Sequence, residues 1–171
     1  MRVLVMPASK HGGTAEIGRA IATALRAEGI DVDVSQPEHM LNPSIYDGYV
    51  LGSAVYLGNW VERAAEFVDE YSDVIRRKPT WLFSSGPLGD SKPDEPIRPD
   101  VIEDLMALTG AREHRVFSGR IRFDDLGRSE RFVARWVGVE EGDYREWDLI
   151  KNWTGQIASE LLADEQSPTE P

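Results

Sequence analysis

The sequence predicts an α/β fold, a three-layer arrangement in which helices cover both faces of a parallel sheet. Short apolar runs alternate with longer stretches that carry one apolar stripe at helical spacing, in the order β-α-β-(loop)-β-α-β-α-β-α. Such alternation implies right-handed crossovers and a sheet buried on both sides. The 171 residues, 41% of them hydrophobic, suit one domain with a sizeable core. The first apolar run also leads straight into a Ser-, Gly- and Thr-containing turn that opens a helix, the usual way an α/β protein builds an anion cradle.

Taken in order, Arg2 to Met6 is Val-rich and too short for a helix, so it reads as a buried strand. A turn follows over Pro7 to Gly13. From Thr14 to Glu28, Ile17, Ala20, Ile21, Ala24 and Leu25 form one stripe, and Gly29 closes the helix. Ile30 to Val34 alternates apolar residues with Asp, as a half-exposed strand near a sheet edge does. Gln36 to Ser44, with Pro37 and Pro43, is a loop. Tyr49 to Leu51 is a central strand, followed by a loop over Gly52 to Trp60.

Asn59 reads as the N-cap of a second helix carrying Val61, Ala64, Ala65, Phe67, Val68 and Tyr71. Pro79 to Ser84 is the fourth strand, and Ser85 to Pro99 a Pro- and Gly-rich loop. A third helix starts at Pro99 or Asp100 and stops at Gly110. Val116 to Phe123 is the fifth strand, Arg128 to Val137 a short helix, and Tyr144 to Leu162 a long final one. The composition of Glu165 to Pro171 is that of a disordered tail, which places the domain at 1–163 and the tail at 164–171.

The net charge of −11 argues against nucleic acid or an anionic membrane as the main partner. With no cysteine, disulfides, thiolate metal sites and thiol nucleophiles are excluded. No stretch approaches the ~20 apolar residues of a membrane span, and no signal pattern precedes the first strand. The expectation is a cytoplasmic protein without an integral membrane segment, as a monomer or homodimer.

A parallel sheet binds ligands beyond the carboxyl ends of its strands, where the strand order reverses. That rule selects the loops after the first, third and fourth strands. In the first, Ser9 and Thr14 offer hydroxyls, while Gly12 and Gly13 let the backbone approach an anion. The spacing lacks the Gly-Lys-Ser/Thr ending of a nucleoside-triphosphate loop and differs from G-x-G-x-x-G, so it favours a terminal monophosphate. On its own the segment also fits an ordinary strand-to-helix turn.

Lys10 could add charge there, although a solvated lysine is the default. His11 could hydrogen-bond a ligand edge or act as an acid, and no neighbouring ligand set makes it a metal residue. The second loop offers Tyr56 as a surface for a flat cofactor, whereas Trp60 reads as packing down on the sheet. In the third, Ser85, Gly86, Pro87, Leu88 and Gly89 expose backbone amides to a ring edge. No residue stands out as a catalytic acid or base. An acidic pair after the first strand, as a phosphoacceptor module requires, is replaced by Met6 and Pro7, and no G-x-S-x-G nucleophile elbow occurs.

At these residues the chain resembles the flavodoxin-like superfamily, whose sheet order is 2-1-3-4-5 with FMN at the switch point. It is most similar to the flavodoxin-domain group of menaquinone-dependent protoporphyrinogen dehydrogenase, through Ala8 to Ile17, Gly52 to Gly58, Val116 to Phe123 and Tyr144 to Asp148. The resemblance implies one non-covalent FMN. Ser9, Lys10, His11, Gly12, Gly13 and Thr14 would lie at its phosphate, Ser53, Ala54 and Tyr56 along the flavin, and Ser85 to Gly89 near its ring edge. It further implies an FMN-dependent oxidoreductase passing electrons through FMN to a quinone or similar acceptor, with a redox partner protein or a quinone- or porphyrinogen-like small molecule as its partner. The alternatives are a flavodoxin-type electron carrier that docks a redox partner protein and a flavin-free binding module of the same fold.

Overall fold

A computed structural model describes residues 1–40, 42–56, 58–86, 102–125, 127, 131 and 140–166. Five parallel strands form the sheet: β1 (Arg2–Ala8), β2 (Asp31–Val34), β3 (Gly48–Tyr56), β5 (Thr80–Gly86) and β6 (Glu113–Ser118). Their order is β2-β1-β3-β5-β6, the expected 2-1-3-4-5 when only these five are counted. A two-residue strand β4 (Asn59–Trp60) folds back antiparallel on the end of β3. A separate ribbon pairs β7 (Arg120–Ile121) with β8 (Gly142–Asp143). The helices are α1 (Gly13–Ala27), α2 (Glu62–Ile75), α3 (Ile102–Thr109) and α4 (Trp147–Gln166).

Because successive side chains of a strand point to opposite faces, each central strand feeds both layers. Val3 and Val5 of β1, Val50 of β3, and Trp81 and Phe83 of β5 pack with Ile17, Ile21 and Leu25 of α1 and Trp153 and Ile157 of α4. Leu4 and Met6, Tyr49 and Leu51, and Leu82 join Phe67 and Val68 of α2 with Ile102 and Leu105 of α3 on the other face. Phe83, Phe117 and Trp153 form an aromatic cluster with centroid separations of 5.4 to 6.3 Å.

The strands that lead to the ligand edge are longer than expected. β1 continues through Pro7 and Ala8, and β3 through Gly52 to Tyr56, so most of the expected second loop is strand. Pairing explains both extensions, since Ala8 lies opposite Ser53 and Ala54 opposite Ser85. Gly52 interrupts no ladder; a Cβ there would come within 2.1 Å of the Phe83 ring. Ser85 and Gly86 likewise end β5 instead of opening a loop.

Asn59 belongs to β4 and is not an N-cap; that position is Val61, whose N–H donates to Ser53 Oγ at 2.9 Å. The fifth strand begins at Glu113 and breaks at Gly119. The final helix starts at Trp147, not Tyr144, because Asp143 Oδ1 accepts from the Arg145 N–H and holds that turn out of the helix. The same helix runs through Gln166, with Glu165 bonded to the Met1 ammonium at 3.0 Å, so residues 164–166 are helical and not tail. The rest of the expected tail lies outside the described residues, as does the expected helix over Arg128 to Val137 apart from Arg131.

Candidate functional site

The carboxyl ends of β1, β3 and β5 surround a cleft lined by Ser9, His11, Gly13 and Thr14, by Ala54, Val55 and Tyr56, and by Ser85 and Gly86. Its fourth wall is the segment Gly119 to Arg122 with Asp125. Gly12 occupies the N-cap of α1 at φ +82°, a left-handed conformation that costs an L side chain about 1 to 2 kcal/mol. Gly12 has no side chain with which to cap the helix, and among the described residues no side chain accepts from its first N–H groups. Thr14 is buried beneath it. Ser9 Oγ is buried and has no hydrogen-bond partner among the described residues. An orphaned hydroxyl beside uncapped amides is a site built for an acceptor.

Tyr56 stands at the mouth, 38% exposed. The His11 ring meets it edge-on at 6.2 Å between centroids, and Lys10 Nζ lies 5.3 Å from its ring centroid. The first turn and the end of β3 thus share one aromatic face. Trp60 packs into the core as expected, and its indole N–H donates to Ser84 Oγ at 2.8 Å. Ser84 Oγ also lies 2.9 Å from His114 Nε2, which ties the β4 hairpin to β5 and β6.

The structure therefore brings Ser9, His11, Gly13, Thr14, Ala54, Tyr56, Ser85 and Gly86 together, with Gly12 in the same turn. Lys10 reaches the Tyr56 ring but is not part of the cleft wall. Ser53 does not reach the cleft: it is fully buried, accepts from Val61 N–H and donates to the Ala54 carbonyl. Pro87, Leu88 and Gly89 lie outside the described residues.

Two arginines were missed by sequence reasoning. Arg120 lies over the first turn, with Nη1 2.8 Å from Glu16 Oε1 and Nη2 3.9 Å from where a Gly12 Cβ would stand. Arg145, its side chain only 4% exposed, donates to Glu16 Oε2 at 2.6 Å and to both oxygens of Asp143. It also stacks over Trp147, 4.5 Å from the ring centroid. Hydrogen bonds from Arg145 hold the carboxyls of Glu16 and Asp143 below their ordinary range, and bonding to Asp143 pushes the guanidinium further up.

These contacts neutralise the one acidic side chain in the first turn of α1. The available signal for Arg120 was its place just after Gly119 at the carboxyl end of a strand. Gly119 is tight against β5, where a Cβ would come within 2.9 Å of the Gly86 carbonyl oxygen.

Among the described residues no group of His, Asp and Glu could hold a metal ion, and no helix is long and apolar enough to cross a membrane.

A family model described as a flavodoxin domain matches residues 4–148. Over 173 positions the chain is 23% identical to the protoporphyrinogen IX dehydrogenase [quinone] of Escherichia coli strain K12, covering 92% of this chain and 95% of that protein. Among solved structures, a flavodoxin from the domain Archaea superposes with a TM-score of 0.66 at 16% identity, over 94% of this chain and 99% of that one. A Desulfovibrio gigas rubredoxin oxygen:oxidoreductase gives the same TM-score at 12% identity, over 97% of this chain and 37% of that one.

Proposed function

The chain belongs to the flavodoxin-domain family, and on that premise we propose that it is an FMN-type redox protein working as an oxidoreductase on a quinone or porphyrinogen-like substrate. The observation that carries the reading is the cleft itself. An uncapped helix start, an orphaned serine hydroxyl and an exposed aromatic ring line one opening at the carboxyl ends of three parallel strands.

The residues present fit the group. Ser9 Oγ has no hydrogen-bond partner among the described residues, and Gly12 and Gly13 carry no side chain to fill the turn. A phosphate there would take the Ser9 hydroxyl, the Thr14 hydroxyl and the backbone N–H groups of the turn. Tyr56 would flank the ring, with Ala54, Ser85 and Gly86 as wall, and His11 would brace Tyr56 from the side. FMN, when bound, supplies the redox chemistry; the protein orients it and controls what reaches it. The acceptor class comes from the name of the Escherichia coli relative, which the chain matches almost end to end.

A second reading, a flavodoxin-type carrier that docks a reductase, draws support from the net charge of −11. One experiment tests both. The FMN-loaded protein is mixed under anaerobic conditions with protoporphyrinogen, with a reduced flavin and a naphthoquinone, and with a flavodoxin reductase. Electron exchange with the small molecules is the expected result. Exchange with the reductase alone would replace the enzyme by the carrier, and no exchange with any of them would overturn both.

A further inference from the structure

We propose that Arg120 is the residue by which this cleft distinguishes a phosphorylated flavin from its dephosphorylated form, an inference that rests on the FMN reading above. The start of α1 supplies partial positive charge and N–H donors, but no lysine or arginine of the turn between Ser9 and Thr14 lines the cleft. Lys10, the cation of that turn, is directed to the Tyr56 ring. Among the described residues of the wall, the guanidiniums are Arg120 and Arg122. Arg122 is exposed, whereas the Arg120 side chain is only 16% exposed and lies against the glycine turn.

Its position is held from two sides. Glu16 Oε1 accepts from Nη1 at 2.8 Å, and Asp125 Oδ2 lies 3.5 Å from Nη2. Glu16 is itself fixed by Arg145 at 2.6 Å. A guanidinium has five N–H donors in a rigid fork, and these side-chain contacts engage two of them, the second at its longest useful distance. The Cβ of Arg120 and its backbone also pass 3.9 Å from the Cβ position of Gly13. The charge is thus pre-placed beside the turn and keeps donors free, so a phosphate gains a charge-assisted bond without ordering a long side chain. In a protein of net charge −11, a cation placed at this turn favours a dianion there.

The apoprotein is titrated with FMN and separately with riboflavin, following the quenching of flavin fluorescence, for wild type, Arg120→Gln and Arg120→Lys. Arg120→Gln is expected to weaken FMN binding about tenfold to a hundredfold and to leave riboflavin within about twofold. Arg120→Lys should recover part of the loss. Added salt should weaken FMN binding to wild type more steeply than to Arg120→Gln.

Equal weakening of both flavins would make Arg120 a structural residue and overturn the inference, as would unchanged FMN affinity. A wild type that binds FMN and riboflavin equally would overturn it too while leaving the FMN reading intact. A wild type that binds neither flavin would remove that reading itself, and the inference with it.

Discussion

Gly12 and Arg120 face each other across the start of α1, and the proposed phosphate chemistry depends on the space between them staying open. An alanine at residue 12 would have to hold φ +82° and should cost about 1 to 2 kcal/mol in thermal or urea unfolding. Gly12→Asp adds a negative charge at the same place and is expected to abolish FMN binding in a fluorescence titration. Retained FMN affinity in Gly12→Asp would remove the phosphate from this turn. The turn was legible as a strand-to-helix connection because Gly12 and Gly13 follow a short apolar run, although its Ser, Gly and Thr also suit an ordinary turn and only the other two loops single it out. Ser53 was not legible, because a serine hydroxyl serves a ligand or a backbone N–H equally well, and only the fold of the β4 hairpin brings Val61 N–H to it. Arg120 and Arg145 escaped for a similar reason: their partner Glu16 is more than a hundred residues away in sequence.

Between elements, two contacts decide how α1 sits at the cleft. Gly18 lies on Pro7, where a Cβ would come within 2.4 Å of the proline ring. Gly to Ala inside a helix ordinarily adds about 0.5 to 1 kcal/mol of stability. Here the sign should reverse, with Gly18→Ala losing about 1 to 3 kcal/mol in urea unfolding as the rigid ring resists displacement. An unchanged or raised urea midpoint would mean that α1 is free to shift on β1.

Arg145 is the second contact, clamping the first turn of α1 to β8 and the approach to α4. Glu16 and Asp143 both have native pKa values below their unfolded ones, so the unfolded chain binds more protons as acid is added. Their contribution is fully present above the ordinary carboxyl range, roughly pH 4, and is lost as pH falls through the lowered native values. Arg145→Gln should therefore flatten the acid limb of a stability–pH profile and lower stability at neutral pH by about 2 kcal/mol. A variant with an unaltered acid limb would show that the pairing does not hold the carboxyls down.

The strongly periodic α1 was readable to within a residue at each end, whereas the cap of α2 lies two residues beyond the expected Asn59. β3 was cut short in the reading because Gly52, Ser53 and Ala54 are poor strand formers, and parallel pairing with β1 and β5 overrides that preference.

At the scale of the whole molecule, alternation of elements carried the parallel sheet covered on both faces, and the flavodoxin-like resemblance supplied its strand order. The expected ligand edge came from the switch-point rule, and a cleft lies at the carboxyl ends of β1, β3 and β5. What alternation could not supply is the fourth wall, Gly119 to Arg122, because a strand that breaks at a glycine and resumes in another ribbon has no periodic signature.

Charge acts at this scale as well. An overall charge of −11 steers cations to the surface, while the two arginines in the cleft wall leave the turn able to hold an anion. The proposed redox function rests on that turn binding FMN. The most direct measurement is the absorbance spectrum of the purified protein together with a titration of its apo form with FMN. Two flavin bands, FMN released on denaturation and saturable quenching of flavin fluorescence are expected. A colourless protein whose apo form quenches no added FMN would contradict that function.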